Sequence, residues 1–180
     1  MMPTQYKRFE LRELTEQDGY DLFVMVREIG PGENGFVNGM HVEQFDQFQS
    51  KLKRNVMFAN GIDLEPHYVP QTLYWFYVNG VPVGYGKLRH RLNEQLKLRG
   101  GHIGYVIRPT ERGKRYASVF LGELIQQAAN LGIDEVLLTC DEDNIASRRA
   151  IERNDGVLIA HDGDCCSYTI RTRGGLQHDP

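Results

Sequence analysis

The chain of 180 residues, 41% of them hydrophobic and 25% charged, is long enough to bury a substantial core within one domain. Its net charge of −3 gives no overall basic field, which disfavours nucleic-acid binding, and no apolar run is long enough to cross a membrane. The three cysteines form neither a disulfide framework nor a metal-binding spacing, and no signal peptide is recognisable. We therefore expect a single cytoplasmic domain over residues 1–180, with reduced thiols and no metal ion.

The N-terminal third predicts one strand followed by two helices. Alternating residues indicate a strand over Arg8–Leu14, and Thr15 is the predicted cap of a helix that continues to about Glu28. Apolar residues at helical spacing predict a second helix over Val42–Ala59. Between the helices, Gly30–Gly39 contains four glycines and a proline, and it is longer than a simple turn requires. This loop is either an ordinary connection or the wall of a substrate site, and we favour the wall.

A β-hairpin is predicted in the middle of the chain. Leu73–Val78 and Val81–Leu88 are rich in β-branched and aromatic residues. The dipeptide Asn79-Gly80 between them tolerates the positive φ of a two-residue turn. The aromatic side chains of the hairpin are interpreted as a sheet core rather than as a platform for nucleic-acid bases.

The C-terminal half alternates strands and helices. The basic segment Arg89–Arg99 is interpreted as a short helix or a solvated connector, and the alternative places Arg89 and His90 at a substrate mouth. A strand, a helix and a strand then follow in succession, which implies a right-handed crossover and two roughly parallel neighbouring strands. The final residues, Thr172–Pro180, lack periodicity and are expected to fray. The predicted strands are His102–Arg108, Glu135–Cys140, Val157–His161 and Cys166–Arg171, and the predicted helices are Ala117–Asn130 and Ile145–Arg153.

A basic turn, Arg112-Gly113-Lys114-Arg115, connects the first of these strands to the helix after it. Backbone N–H groups at a helix N-terminus lack internal partners, and the helix dipole favours an anion there. Ligands of open α/β sheets usually bind at the C-terminal ends of strands. The strand, turn and helix together therefore predict a phosphate-binding site.

This stretch resembles the acyl-CoA loop of the GNAT superfamily of N-acetyltransferases. The family pattern is Arg or Gln, two residues, Gly, one residue, and then Gly or Ala. Arg112 and Ala117 match the ends of the pattern, but Arg115 replaces the central glycine. The side chain of Arg115 could crowd a pyrophosphate, or it could pair with a phosphate, and the sequence leaves both readings open.

A second motif supports the resemblance. Asn144–Ser147 and the helix end at Asp155-Gly156 are similar to the family's helix after the fifth strand, where an asparagine and small residues line the CoA arm. The segments GPGENGF and GGHIGY are also similar to those of a poorly characterised bacterial subgroup of these acetyltransferases. The predicted order of strands and helices is also similar to the GNAT fold over nearly the entire chain.

The resemblance implies a mixed α/β fold with a central, largely antiparallel twisted sheet of about six to seven strands, flanked by about four helices. It also implies acetyl-CoA as co-substrate, with its thioester carbonyl at backbone N–H groups of the strand before the loop and its pyrophosphate on the loop. The implied cofactor-binding residues are Val106, Ile107, Arg112, Gly113, Lys114, Arg115, Tyr116, Ala117, Asn144 and Ser147.

Three residues are candidates for acid–base chemistry, because a protonated amine must lose a proton before it attacks a thioester. His102 is the first candidate base, since its unperturbed pKa is closest to neutrality. Strand alternation places its side chain on the opposite face of the strand from that of Tyr105, and a structural role is the equal alternative. Glu33 is the second candidate base. Many family members protonate the leaving thiolate with a tyrosine seven residues after the asparagine. That position is Ile151 here, which leaves Tyr105, Ser147 or a water.

We therefore expect an acetyl-CoA-dependent N-acetyltransferase that transfers an acetyl group directly to a primary amine of a small molecule or a peptide. The alternative is a non-catalytic acyl-CoA sensor or interaction module, suggested by Arg115 and by the missing tyrosine. Nucleic-acid binding is a distant third, and no membrane partner is expected. The free edges of the hairpin and of the final strands are candidates for a homodimer interface.

Overall fold

The computed structural model describes residues 6–172, which contain seven strands, five α-helices and one 3₁₀ turn. The strands are β1 (Phe9–Glu13), β2 (Gln71–Val78), β3 (Val81–Arg89), β4 (Ile103–Ile107), β5 (Glu135–Asp141), β6 (Val157–Asp162) and β7 (Cys165–Arg171). The helices are α1 (Tyr20–Ile29), α2 (Phe45–Ala59), α3 (Glu94–Leu98), α4 (Tyr116–Asn130) and α5 (Ile145–Arg153), and the 3₁₀ turn is Pro109–Glu111.

The strands form two antiparallel sheets, with the orders β1-β2-β3-β4 and β5-β7-β6. The mixed α/β fold with largely antiparallel strands is therefore confirmed. The finer expectation that β4 and β5 are neighbouring strands is wrong for most of their length, because β4 belongs to the first sheet and β5 to the second.

The two sheets meet at the start of β4. Gly101 bridges Leu138, and the His102 N–H donates to the Leu137 carbonyl at 2.7 Å. A Cβ on Gly101 would lie 2.2 Å from that carbonyl oxygen, and the residue has a φ of +61°, so the close approach requires glycine. Beyond this point the strands separate, and the gap between them opens toward the C-terminal end of β4.

The first sheet has a hydrophobic core on each face, because alternate residues of a strand point in opposite directions. On β2, Phe76 belongs to the core beneath α4 and stacks on Phe120 at 4.7 Å, whereas Trp75 belongs to the core beneath α1 and α2. On β4, Ile107 faces the α4 core and Val106 faces the α1–α2 core. The two faces of β4 beside the gap therefore have different linings.

The element boundaries differ from the prediction where side chains hold local turns. The helix predicted to start at Thr15 starts at Tyr20, because Asp18 accepts from the Thr15 N–H and from the Trp75 ring N–H and so fixes a turn. The hairpin is confirmed, and Asn79 and Gly80 have the expected positive φ values of 51° and 79°.

Of the segment expected to fray, only Thr172 is among the described residues. It is held in place, since its hydroxyl donates to the Ile133 carbonyl at 2.5 Å and its N–H donates to Asp134 O at 3.0 Å. Residues 173–180 lie outside the described part of the chain. Within residues 6–172, none of the helices has both the length and the apolar character needed to span a bilayer.

Candidate active site

A cavity of about 760 Å³ lies where β4 and β5 diverge. Its walls come from β3, β4, the loop and first turn of α4, the end of β5, α5, the region of α3 and the glycine-rich loop after α1. The structure brings most of the sequence-predicted site residues together here and leaves out His102 and Lys114, whose ammonium instead pairs with Glu111. The predicted residues that line the cavity are Glu33, Tyr105, Val106, Ile107, Arg112, Gly113, Arg115, Tyr116, Ala117, Asn144 and Ser147.

Backbone N–H groups of β4 face this gap. Residues of an antiparallel strand alternate between those bonded to the neighbouring strand and those that face away from it. The Arg108 N–H donates to Val83 O of β3 at 2.8 Å, so Val106 also bonds toward β3. The N–H groups of Tyr105 and Ile107 consequently point toward the cavity. Val106 lines the cavity, but its N–H is not available to a ligand.

The loop before α4 presents a second set of backbone donors. Lys114 is followed by α4, a helix of fifteen residues whose positive end faces the cavity. Within the described chain, no acceptor is found for five consecutive N–H groups, those of Gly113, Lys114, Arg115, Tyr116 and Ala117. Unpaired amides at a helix N-terminus form an anion-binding site.

Arg112 is fixed in place at the rim of this loop. Its Nε donates to the Ile107 carbonyl at 2.9 Å, and its Nη1 pairs with Glu33. The guanidinium therefore lies between the end of β4 and the glycine-rich loop, with its planar donors partly occupied. A phosphate bound here would either displace Glu33 from Arg112 or accept hydrogen bonds from the guanidinium N–H groups that Glu33 and Ile107 do not use.

Arg115 occupies the position where the family pattern has glycine, and its backbone explains that preference. Its φ of 64° and ψ of 17° lie in the left-handed region, which costs a non-glycine residue about 1–2 kcal/mol. Its side chain is exposed at the cavity and has no hydrogen bond or ion pair within residues 6–172. Arg115 does not fill the cavity, and its guanidinium is free to meet an anion.

Two further arginines extend this basic rim. Arg149 and Arg153 are one helical turn apart on α5, both are exposed, and both line the cavity. Neither has a partner among the described residues. Three unpaired guanidinium groups thus surround the end of the cavity that contains the unpaired amides.

Asn144 is the cap of α5. Its Oδ1 accepts from the Ser147 N–H at 3.2 Å, which uses the side-chain oxygen and leaves the amide NH₂ group free at the cavity wall. A local capping role therefore explains the residue's position, and the free donor is the part that can contact a ligand.

Tyr105 and Ser147 form a hydroxyl pair inside the cavity. Their oxygens are 3.1 Å apart, and the Tyr105 ring packs edge-on against Phe120. Burial raises the pKa of Tyr105 to about 12, so the phenol stays protonated at neutral pH. Ile151, which occupies the usual tyrosine position of the family, is buried in the core and presents no polar group.

Cys140, at the end of β5, also lines the cavity. Burial, together with the neighbouring Cys166, raises the pKa of this thiol to about 12. Because the thiolate is the nucleophilic form of cysteine, Cys140 is inert at neutral pH.

The glycine-rich loop lines the cavity, as the wall interpretation requires. Asn38 anchors it: its Nδ2 donates to Val26 O at 2.9 Å, and its Oδ1 accepts from the Tyr85 hydroxyl at 2.6 Å. Phe36 projects from the loop and packs edge-on against Tyr85. Glu33 pairs with Arg112 at the phosphate-binding end, so the structure gives this carboxylate a partner that competes with a role as general base.

The structure does not bring His102 to the cavity. Its Nδ1 accepts from the Leu137 N–H at 2.9 Å, and its own backbone bonds to β3 and β5. Burial, with a contribution from Arg89, lowers the pKa of His102, so the ring is neutral at pH 7 and its proton is on Nε2. The hydrogen bond from Leu137 is the reason, because it holds the ring between β4 and β5 outside the site.

We expect His102→Ala to destabilise the protein by about 1–3 kcal/mol, because it leaves the partly buried Leu137 N–H without an acceptor. We expect kcat to stay within a few-fold of wild type. Denaturant unfolding and steady-state kinetics measure the two effects. His102→Asn serves as the matched control, since its amide oxygen can replace Nδ1 and recover stability. A loss of kcat of about 10²–10⁴-fold in both variants would instead indicate a general base.

Lys87 and Phe36 were not predicted as site residues from the sequence, and Arg89 was predicted there only as an alternative. Lys87 and Arg89 both line the cavity from β3, and Phe36 does so from the glycine-rich loop. One signal was present in the sequence: Lys87 is a charged residue inside the otherwise uncharged run VPVGYGKL of a buried strand. In the described chain, no group of three or more His, Cys, Asp or Glu residues is arranged to hold a metal ion.

A family model described as an acetyltransferase (GNAT) domain matches residues 8–157 of the sequence. The chain therefore belongs to the GNAT acetyltransferase family, which confirms the resemblance inferred from the loop and the α5 motif. No curated protein matches the sequence significantly.

Solved structures share this fold at low sequence identity. RimL, a ribosomal L7/L12 alpha-N-protein acetyltransferase in complex with coenzyme A, has a TM-score of 0.69 and 18% identity over 91% of this chain and 93% of its own. The Campylobacter jejuni N-acetyltransferase PseH, in complex with acetyl-CoA, has a TM-score of 0.62 and 10% identity over 91% and 99%. The Salmonella typhimurium protein yncA, with its cofactor acetyl-CoA, has a TM-score of 0.59 and 13% identity over 95% and 98%.

Proposed function

We propose that this protein is an acetyl-CoA-dependent N-acetyltransferase that transfers an acetyl group directly to a primary amine of a small molecule or a peptide. The observation that carries the proposal is the row of five unpaired amides, Gly113–Ala117, which opens into the same cavity as the free N–H groups of Tyr105 and Ile107. A pyrophosphate and a thioester joined by one flexible arm fit these two sets of donors. PseH and yncA, which share the fold, were solved with acetyl-CoA bound, and this supports acetyl-CoA as the ligand.

The binding part of the proposal assigns each end of acetyl-CoA to a different region. The pyrophosphate lies on the loop amides and beside Arg112, and the free guanidinium of Arg115 meets one phosphate. The pantetheine arm follows β4 as a short added strand and takes the free NH₂ of Asn144. Arg149 and Arg153 meet the remaining phosphate charge at the rim.

The chemical part follows from the two donors on β4. Water takes a proton from the ammonium form of the acceptor. The neutral amine nitrogen then attacks the thioester carbon, and the oxygen becomes negatively charged as the tetrahedral intermediate forms. The N–H groups of Tyr105 and Ile107 stabilise that oxyanion. As the C–S bond breaks, the Tyr105 hydroxyl donates a hydrogen bond to the sulfur, and Ser147 holds that hydroxyl in place. The nitrogen loses its second proton to water as the thiolate leaves.

Direct transfer in a ternary complex is favoured over an acetylated-enzyme intermediate. The cysteine in the cavity, Cys140, is held as a neutral thiol, so it offers no nucleophile to accept the acetyl group first. Initial-rate kinetics with both substrates varied would show intersecting rather than parallel double-reciprocal lines.

A non-catalytic acyl-CoA sensor is the second candidate, favoured by the buried Ile151 in place of the usual tyrosine. A screen for free-thiol release from acetyl-CoA across primary amines and peptide N-termini separates the two functions. Acceptor-dependent thiol release supports the enzyme. Saturable acetyl-CoA binding with no thiol release across the panel supports the sensor, and absence of acetyl-CoA binding at millimolar ligand rejects both.

We expect Arg115→Gly to stabilise the fold by up to about 1 kcal/mol and to weaken acetyl-CoA binding by about 3- to 10-fold. The glycine removes the left-handed strain, but part of that gain is lost to the greater flexibility of the unfolded chain. Binding weakens because a free guanidinium at the phosphate site is lost. Thermal unfolding and titration calorimetry measure the two effects. Tighter binding by the variant would show that Arg115 crowds the pyrophosphate.

A further inference from the structure

The cavity contains a lysine that the family motifs do not account for. Lys87 extends from β3 into the cavity, its chain lies over Gly104 of β4, and its Nζ is 5.0 Å from the centre of the Phe36 ring. The fit over Gly104 is close, since a Cβ there would lie 3.1 Å from Cε of Lys87. The side chain is therefore held in position between β4 and the glycine-rich loop.

The ammonium group of Lys87 has no anionic partner in the described chain. It makes neither a hydrogen bond nor an ion pair within residues 6–172, and the charged group that acts on it is another cation, Arg89. Burial, together with Arg89, lowers the pKa of Lys87 to about 8, and most of the molecules still carry the charge at pH 7. A cation removed from water without a partner is costly, so the site is complete only when an anion is present.

The other charged groups of the cavity do not supply that anion. Its three carboxylates are each paired, Glu33 with Arg112, Asp141 with Arg99, and Glu111 with Lys114. Arg89, beside Lys87 on the same face of β3, is satisfied by the carbonyls of Gly100 and Gly101, at 3.3 and 2.9 Å. Among the cations on this side of the cavity, Lys87 is the one left without an acceptor in the described chain.

The phosphates of acetyl-CoA are also too distant to serve as the partner. Lys87 is opposite Gly104, whereas Gly84 is opposite Ile107, the residue whose carbonyl holds Arg112. Three residues along a strand correspond to about 10 Å. The side chain of Lys87 also leaves β3 on the same face as Tyr85, toward the glycine-rich loop, whereas α4 and the phosphate-binding amides lie against the opposite face.

We propose that Lys87, covered by Phe36 and supported by the positive field of Arg89, binds a carboxylate of the acceptor, so that the preferred acceptor is an amine that also carries a carboxylate. This inference rests on the proposed acetyltransferase function. The carboxylate is either the α-carboxylate of a free amino acid or an acidic side chain near the N-terminus of a peptide. In both cases the ion pair fixes the amine on the side of β4 from which it attacks.

The test compares wild type, Lys87→Met and Lys87→Arg on matched acceptors that differ only in the carboxylate. One pair is glutamate and its dimethyl ester, and the other is a peptide with N-terminal aspartate and the same peptide with asparagine. Free-thiol release gives kcat and KM. For each acceptor, the kinetic constants of wild type are divided by those of the variant, and this ratio cancels differences in the basicity of the amines. Lys53→Met, which removes an exposed lysine of α2, controls for net charge.

We expect Lys87→Met to raise KM for the carboxylate member of a pair by about 10- to 100-fold and to leave KM for acetyl-CoA unchanged. KM for the neutral member should change little, and Lys87→Arg should retain most of the preference for the carboxylate member. An effect confined to the amino acid pair identifies a free amino acid as the source of the carboxylate, and one confined to the peptide pair identifies an acidic side chain of a peptide. Equal use of both members by wild type, or an equal fall in kcat for both members in Lys87→Met, would overturn the proposal.

Failure of the underlying function is separable from failure of this inference. If wild type binds acetyl-CoA but turns over no acceptor, the carboxylate site is tested by calorimetry with glutamate and its dimethyl ester on the CoA-saturated protein. Binding of glutamate alone, lost in Lys87→Met, supports the carboxylate site even though the transferase function fails. Equal binding of the two probes, or no binding of either, contradicts it.

Discussion

Replacing Ala117 with aspartate is expected to raise the Kd for acetyl-CoA by at least about 100-fold without destabilising the protein. Ala117 is the second residue of α4 and lines the cavity at the unpaired amides. A carboxylate in the first turn of a helix stabilises it by about 0.3–1 kcal/mol. The same carboxylate would occupy the proposed pyrophosphate site, where two like charges 4 Å apart repel by about 4 kcal/mol at an effective dielectric constant of about 20.

Titration calorimetry and thermal unfolding of the same preparation measure both effects of Ala117→Asp. Ala117→Ser is the matched control, since it adds a small polar group without charge and should bind acetyl-CoA nearly as well as wild type. If Ala117→Asp keeps its affinity for acetyl-CoA, the pyrophosphate does not lie on this helix end. A variant that loses both stability and binding would show instead that the alanine is required for packing.

Tyr105→Phe is expected to lower kcat by about 10- to 100-fold with little change in the Kd for acetyl-CoA. The variant keeps the ring that packs on Phe120 and removes only the hydroxyl that pairs with Ser147. A hydrogen bond to a charged atom contributes about 1.5–3 kcal/mol, which is the stabilisation lost from the departing thiolate. A phenol whose pKa is about 12 stabilises the sulfur by donating this bond and retains its proton.

The effect on kcat is read from thiol release at saturating substrates, and the effect on binding is read by calorimetry. Ser147→Ala should give a smaller loss of kcat, because it removes the group that orients the Tyr105 hydroxyl and leaves the hydroxyl itself. Tyr68→Phe, at an exposed tyrosine that does not line the cavity, controls for loss of a phenol elsewhere. An unchanged kcat in Tyr105→Phe would mean that the Tyr105 hydroxyl does not stabilise the departing thiolate.

The parts of the fold that the sequence predicted well are those set by local chemistry. Asn79-Gly80 requires positive φ values and so specifies the hairpin turn whatever surrounds it. The strand, basic turn and helix around Arg112 are likewise local, and their unpaired amides follow from the start of a helix alone. For these elements, neighbouring residues in the sequence are also the neighbours that matter in space.

The parts that the sequence did not predict depend on contacts between distant segments. β4 and β5 belong to different sheets, and β5 pairs with β7, which lies well beyond it in the sequence. The exclusion of His102 from the site depends on the Leu137 N–H, 35 residues away. The role of Lys87 was not visible because the absence of a carboxylate partner is a property of the folded cavity and not of the strand that carries the lysine.

The central claim is that the amides of Gly113–Ala117 hold the pyrophosphate while the N–H groups of Tyr105 and Ile107 face the thioester. Backbone amide NMR during titration with acetyl-CoA tests it most directly. We expect saturable shifts that are largest at these seven N–H groups, with coenzyme A lacking the acetyl group producing the loop shifts but smaller changes at Tyr105 and Ile107. Saturable binding whose largest shifts lie away from both segments, or no binding at millimolar acetyl-CoA, would contradict the account.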